Sequence, residues 1–126
     1  MSQRPRPVSI IAWAFVGIGV ASLANDQWRL TDSVHRAAIA AGGHEARDFA
    51  LVVTVHALGL VAGVFMLRGA NWARWLAVAW ILFHVAISYG ALVPLLTHTL
   101  LAAVALYFLF RPTVSAYFRP PPATVA

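Results

Sequence analysis

The sequence predicts an all-α, polytopic membrane protein in which four transmembrane helices form an antiparallel bundle, with a short helix in the outer loop. Apolar residues make up 61% of the 126 residues and charged residues only 10%, against roughly 25% charged in an ordinary soluble domain. Four apolar stretches are about long enough to cross a hydrocarbon core of roughly 30 Å; they are residues 8–24, 49–67, 72–93 and 95–110. Their sole charged side chain is Arg74, near the start of the third stretch. We therefore expect a single membrane domain, 1–126.

The arginines are distributed asymmetrically along the chain. One set of six has no acidic residue beside it: Arg4, Arg6, Arg68, Arg74, Arg111 and Arg119. The first loop, 25–48, holds the other three arginines together with all four acidic residues. Because cytoplasmic loops of membrane proteins are rich in Lys and Arg, both termini are predicted to face the cytoplasm and the first loop to face outward. The expected location is the bacterial inner membrane.

The formal net charge of +5 is interpreted as anchoring to anionic lipid headgroups. The arginines are spread along the chain and no nucleic-acid motif accompanies them, so nucleic acid is not an expected partner. The chain has no Cys, which excludes disulfides, thiolate metal sites and thiol redox chemistry. The expected partners are the lipid bilayer and other membrane subunits or a second copy of the chain.

The first apolar stretch has an alternative interpretation as a cleaved signal peptide. It has a basic start, an apolar run and the small-residue ending Ser22-Leu23-Ala24, which resembles a cleavage site. The run is long for a signal peptide, however, and Gly17 with Ala21 suits a packed helix better. We therefore favour a retained helix.

Local chemistry predicts where the helices end. In the first loop, Thr31 or Asp32 is placed to cap a short helix that continues to Ala41, and Gly42-Gly43 is placed to end it. Pro94 is expected to stop the third stretch and to form a tight outer turn with Val93. Pro112 is expected to end the fourth stretch. A cytoplasmic tail, 111–126, would then follow, with an extended Pro120-Pro121-Pro122 segment.

Small residues at helical spacing predict close packing between the helices. Interfaces between transmembrane helices favour Gly and Ala, because lipid is as apolar as Leu and offers no hydrophobic driving force. The expected packing positions are Gly17 in the first stretch and the GxxxG pair Gly59 and Gly63 in the second. The pattern does not distinguish packing within one chain from self-association.

Histidines form the most distinctive chemical pattern. At 1.5 Å per residue, His56 lies about 10 Å below the outer edge, His84 about 13 Å and His98 about 5 Å. Each of the three shares a helical face with small or polar residues, so we expect them to point into the bundle. Ionisable groups within a membrane are costly and are functional candidates. His56 and His84 are the candidate cofactor ligands, as an axial pair for a b-type haem or as contacts to a quinone, and His98 is the candidate metal or proton-relay residue.

A purely structural role is the preferred interpretation of these histidines. A neutral imidazole that hydrogen-bonds a carbonyl, Ser88 or Thr54 would simply hold helices together. No carboxylate is predicted at the same depth, since Asp48 lies at the rim. No cofactor is therefore expected, and haem is retained as the alternative.

Two resemblances bear on function. The length is similar to that of the small multidrug resistance transporters, but their membrane-embedded glutamate has no counterpart in the first stretch here, which argues against proton-coupled export. Three parts of the chain resemble a group of uncharacterised small bacterial inner-membrane proteins: Arg4-Pro5, 71–76, and 109–112 with 116–118. That resemblance implies a four-helix bundle and no known activity. The sequence thus predicts a non-enzymatic accessory or interaction subunit; the alternative is a redox or ligand-binding membrane protein that uses the histidine cluster.

Overall fold

The computed structural model describes residues 4–119 and consists of helices joined by short turns. The helices are α1 (Arg6–Arg29), α2 (Ser33–Ala40), α3 (Gly43–Leu67), α4 (Asn71–Ile87), α5 (Leu92–Leu109) and α6 (Pro112–Ser115). No strand occurs in this range, which confirms the all-α class. By length and composition, α1, α3 and α5 qualify as membrane spans among the described residues, whereas α4 is apolar but only 17 residues long.

The four long helices pack as successive antiparallel neighbours. At one end of the α1–α3 pair, Asp26 contacts His56, and toward the other end Gly63 lies against Ala12. The same reversal relates α3 to α4 and α4 to α5, since Trp80 reaches Val55 and Arg74 reaches Leu109. Residues near 8, 66, 73 and 109 therefore share one end of the molecule, and residues near 26, 56, 84 and 98 share the other.

The core of the bundle is built largely from small side chains. Ala12, Ala62, Ala73 and Ala77 are completely buried, while Met66 and Leu109 are the largest fully buried apolar residues. Small side chains let helix backbones approach closely, which gains dispersion contacts where hydrophobic burial offers little.

The outward faces of the long helices are strongly apolar. Large exposed side chains include Ile10, Trp13, Leu58, Leu82 and Leu100. A soluble monomer rarely exposes apolar surface on this scale. Together with the three span-length helices, this surface indicates a membrane protein.

The first loop is much shorter than the sequence predicts. Helix α1 continues to Arg29 rather than ending near residue 24, and α3 begins at Gly43 rather than near residue 49. The apolar pattern identifies only the apolar part of each helix. Helical turns that contain polar residues extend α1 and α3 beyond that part. The Ala24–Asn25 bond of the alternative cleavage site consequently lies inside α1.

The turn between the third and fourth long helices also differs from the prediction. It falls at residues 88–91, where Gly90 adopts a φ of +93°, rather than at Val93-Pro94. Pro94 lies in the first turn of α5, where backbone N–H groups have no intrahelical partner and the missing N–H costs little. Glycine therefore ends α4, and proline begins α5.

The short helix α2 forms where its cap residue predicts. The Asp32 carboxylate accepts hydrogen bonds from the backbone N–H groups of Val34 (2.8 Å) and His35 (3.4 Å). These bonds hold the pKa of Asp32 below its usual value of 3.8. Gly42, at a φ of +77°, follows the helix.

The C-terminal segment folds back on the bundle. Helix α5 ends at Leu109, and Pro112 starts the single turn of α6. Tyr117 Oη donates a hydrogen bond to the Leu67 carbonyl at 2.9 Å, and Phe118 is buried. The predicted extended Pro120-Pro121-Pro122 segment lies outside the described residues.

Candidate functional site: a polar cluster of three histidines and an aspartate

A buried carboxylate and an imidazole join α1 to α3. Asp26 Oδ2 lies 2.7 Å from His56 Nδ1, and the aspartate side chain is only 2% exposed. The extension of α1 beyond residue 24 makes this pair possible, because it places Asp26 on the buried stripe that also contains Phe15 and Gly19. The prediction that no carboxylate reaches the depth of the histidines is therefore wrong.

His84 is held by the helix on which it lies. Its Nδ1 donates a hydrogen bond to the Trp80 carbonyl at 2.8 Å. The imidazole also stacks on the Trp80 indole, with ring centroids 3.8 Å apart. The indole N–H in turn donates to the Val55 carbonyl of α3 at 2.7 Å, so the orientation of His84 is tied to the α3–α4 interface.

His98 reaches α4 through a buried serine. Its Nδ1 lies 2.7 Å from Ser88 Oγ, and the serine hydroxyl donates to the His84 carbonyl at 2.7 Å. The rings of His84 and His98 are 5.5 Å apart, edge to face. His98 thus belongs to the same polar cluster as His84.

These hydrogen bonds favour one tautomer for each ring. A carbonyl oxygen and a carboxylate oxygen accept hydrogen bonds, so Nδ1 of His84 and Nδ1 of His56 are the donors. Ser88 has one hydroxyl proton and gives it to a carbonyl, so Nδ1 of His98 donates as well. In the neutral state, each Nε2 then carries a lone pair. A hydrogen bond from one ring nitrogen fixes the tautomer and the orientation of a histidine, as it does for histidines that bind metals.

A cleft of about 190 Å³ lies beside this cluster, between α3 and α4. His56 and His84 are its polar lining residues, and its apolar walls are Leu51, Val52, Val55, Phe83 and Ile87. Leu51, Phe83 and Ile87 are themselves exposed on the apolar outer surface. The cleft therefore opens to the side of the bundle, through the exposed apolar surface of the long helices.

The size of the cleft limits what it holds. Pockets for larger organic ligands usually measure about 300–1,000 Å³, whereas an apolar cavity of about 150 Å³ is known to accept a benzene ring. A cleft of about 190 Å³ is therefore suited to a single six-membered ring and is too small to surround a porphyrin. Among residues 4–119, moreover, no three His, Asp or Glu side chains converge as a metal site.

The structure brings His56, His84 and His98 together at one end of the bundle, and it adds Asp26 and Ser88. Sequence reasoning missed Asp26 because an acidic residue after an apolar run was assigned to the loop. The available signal was helical spacing, since Asp26 lies seven residues after Gly19 and continues the buried face of α1. His35 and His44 lie apart from the cluster, near Asp32 and Glu45 respectively.

Glycines position the helices that carry the cluster. A Cβ added at Gly63 would lie 2.8 Å from the Ala12 carbonyl oxygen, and one at Gly59 would lie 3.0 Å from the Trp80 indole. Gly17 differs from the predicted packing role, because it is exposed and an added Cβ would have no neighbour within 4 Å. The glycine of α1 that packs on α3 is Gly19, which lies against Leu60.

Comparison with protein-family models, curated proteins and solved structures yields no match to this chain. The resemblance to small bacterial inner-membrane proteins therefore stays a prediction from the sequence. Function has to be inferred from the chemistry of the polar cluster and its cleft.

Proposed function

We propose that this protein is a non-enzymatic accessory protein of the bacterial inner membrane that binds the headgroup of a membrane quinone beside His56 and His84. In this proposal α1, α3, α4 and α5 all cross the bilayer, and both termini face the cytoplasm. The end of the bundle near residues 8 and 109 carries Arg6, Arg68 and Arg111, whereas the chain's four acidic residues belong to the opposite end. That asymmetry supports the orientation.

One observation carries the ligand assignment. Two imidazoles with fixed Nδ1 groups line a cleft that is otherwise apolar, opens toward lipid and has room for one ring. A quinone has a flat ring with two carbonyl oxygens and an apolar tail that remains in the bilayer. A protonated Nε2 donates to a quinone carbonyl, and a neutral Nε2 accepts from a quinol hydroxyl. The hydrogen bond to the buried Asp26 holds the His56 ring in place beside the cleft.

The dimensions of the cleft favour a quinone over the haem of the sequence-based alternative. A haem between His56 and His84 needs a flat space much larger than one aromatic ring. Phe83 and the α3 residues that line the cleft leave only about 190 Å³ between them. We therefore assign no haem to this pair.

Binding of a short-chain benzoquinone to the purified protein in nanodiscs tests the proposal. We expect saturable binding by calorimetry, and we expect it to weaken strongly in His56→Ala and in His84→Ala. His35→Ala is the matched control, since His35 lies on α2, away from the cleft. A short-chain naphthoquinone, whose second ring exceeds the cleft, should bind less well than the benzoquinone.

Two results would contradict this assignment. Equal binding by the His84→Ala variant and the His35→Ala control would show that the quinone only partitions into lipid. A Soret absorption band in the purified protein, removed by His56→Ala and by His84→Ala, would show that the pair binds haem.

A further inference from the structure

A second cleft lies between α1 and α5, at the opposite end of the bundle from the histidines. It measures about 170 Å³, and its lining is entirely apolar: Pro7, Ile10, Ile11, Val104 and Phe108. Helix α1 packs mainly on α3, and α5 packs mainly on α4, so α1 and α5 meet along the loosest seam of the bundle. We call this cleft the α1–α5 groove.

Positive charge is concentrated where the groove reaches the end of the bundle. Arg6 immediately precedes Pro7, and Arg111 follows Phe108 by three residues. The Arg111 guanidinium lies 5.1 Å from the Tyr107 ring centroid and 5.9 Å from that of Phe108. This places the cation beside the groove while leaving Arg111 exposed.

Within residues 4–119, no Asp or Glu side chain forms an ion pair with Arg6 or Arg111. The chain's four acidic residues are all between positions 26 and 48, and that segment includes the opposite ends of α1 and α3. The first turn of α1 has no acidic residue and no side-chain cap, so its N–H groups and dipole add to the positive potential. An anion is therefore the complement that this end of the groove lacks.

We infer that the α1–α5 groove binds one anionic phospholipid, with an acyl chain along the apolar lining and the phosphate between Arg6 and Arg111. An apolar channel that ends in two exposed cations matches the division of a phospholipid into tail and charged head. This inference rests on the membrane placement proposed above, but it does not depend on the quinone assignment.

Lipid retention measured by native mass spectrometry tests the site. The delipidated protein would be titrated with phosphatidylglycerol and with phosphatidylcholine of the same acyl chains. We expect the anionic lipid to bind more tightly. At the usual contribution of an arginine near an anionic surface, Arg6→Gln or Arg111→Gln should weaken binding roughly fivefold, and the double variant about thirtyfold.

Two controls separate charge from shape. The double variant Arg29→Gln/Arg36→Gln removes the same charge at the other end of the bundle and should bind like the parent. Val104→Trp fills the groove without changing charge, and it should also reduce retention. Val93→Trp, at an exposed position of α5 away from the groove, should not.

Each contrary result has a distinct meaning. Equal retention by the Arg6/Arg111 and Arg29/Arg36 variants would overturn the lipid site. A dimer that Val104→Trp disrupts, with no bound lipid, would overturn it in favour of a second copy of the chain. Recovery of the parent protein in the soluble fraction would instead refute the membrane placement on which the proposed function depends.

Discussion

Replacing Gly63 by Ala should separate the α1–α3 contact from every other role of this glycine. The added Cβ would lie 2.8 Å from the Ala12 carbonyl oxygen and 2.9 Å from Phe15 Cβ. Both atoms belong to the backbone or lie next to it, so the methyl is accommodated only if α1 moves away from α3. Overpacking of this kind costs about 1–3 kcal/mol. The gain in helix propensity from Gly to Ala, at most about 1 kcal/mol, is small when the unfolded state in detergent remains helical.

Gly17→Ala is the matched control. It adds the same methyl group to α1, the helix that packs on Gly63, but the added Cβ would have no neighbouring atom within 4 Å. We expect Gly17→Ala to leave the free energy of unfolding unchanged or slightly raised, and Gly63→Ala to lower it by about 1–3 kcal/mol. Unfolding by titration with sodium dodecyl sulfate, followed by tryptophan fluorescence, measures both. If the two variants unfold at the same detergent fraction, α1 does not pack on Gly63 and the bundle described above is incorrect.

The remaining predictions concern the polar pair, the cap of α2 and the orientation in the membrane. Asp26→Ala should destabilise the protein by about 1–3 kcal/mol, because it leaves the His56 N–H without its buried acceptor; Asp48→Ala, at an exposed carboxylate, is the control, and equal unfolding of the two variants would refute the pair. Since the pKa of Asp32 is lowered in the folded protein, its capping contribution should be complete above pH 3.8 and decline as the pH falls through the lowered value; hydrogen exchange at the Val34 amide measures this, and Asp32→Asn, which retains an acceptor oxygen without the titration, should remove the pH dependence. Reporter fusions after Arg119 and at Gly42-Gly43 should show cytoplasmic and periplasmic signals respectively, and a periplasmic signal from the C-terminal fusion would refute the proposed topology.

The sequence predicts where helices form, but it says much less about which face of each helix is buried. Long apolar runs predict helices because few other structures suit such composition, and Asp32 predicts the start of α2 because its carboxylate satisfies local N–H groups. Helix α1, in contrast, is apolar on nearly all sides. Nothing in its periodicity distinguishes the face of Gly17, which is exposed, from that of Gly19, which packs on Leu60.

The candidate site was predictable in part for the same reason. His56, His84 and His98 are conspicuous as polar residues in apolar helices, and the position of each residue along its helix predicts its depth. Asp26 was not found, because its role depends on how far α1 continues past its apolar run, and hydrophobicity does not report that distance. The cleft between α3 and α4 also depends on tertiary packing, because the hydrogen bond from Trp80 to the Val55 carbonyl helps to set how these two helices lie against each other.

If α4 crosses the membrane as proposed, its shortness has a consequence for the surrounding bilayer. Seventeen residues span about 25 Å, whereas the hydrocarbon core measures roughly 30 Å. A crossing helix that is too short draws the two interfaces toward each other, at a cost of fractions of a kcal/mol per Å of mismatch. His84 lies one turn from the end of α4, so this local thinning would bring water and lipid headgroups close to the histidine cluster. The thickness of the bilayer would then determine how closely water and lipid headgroups approach His56, His84 and His98.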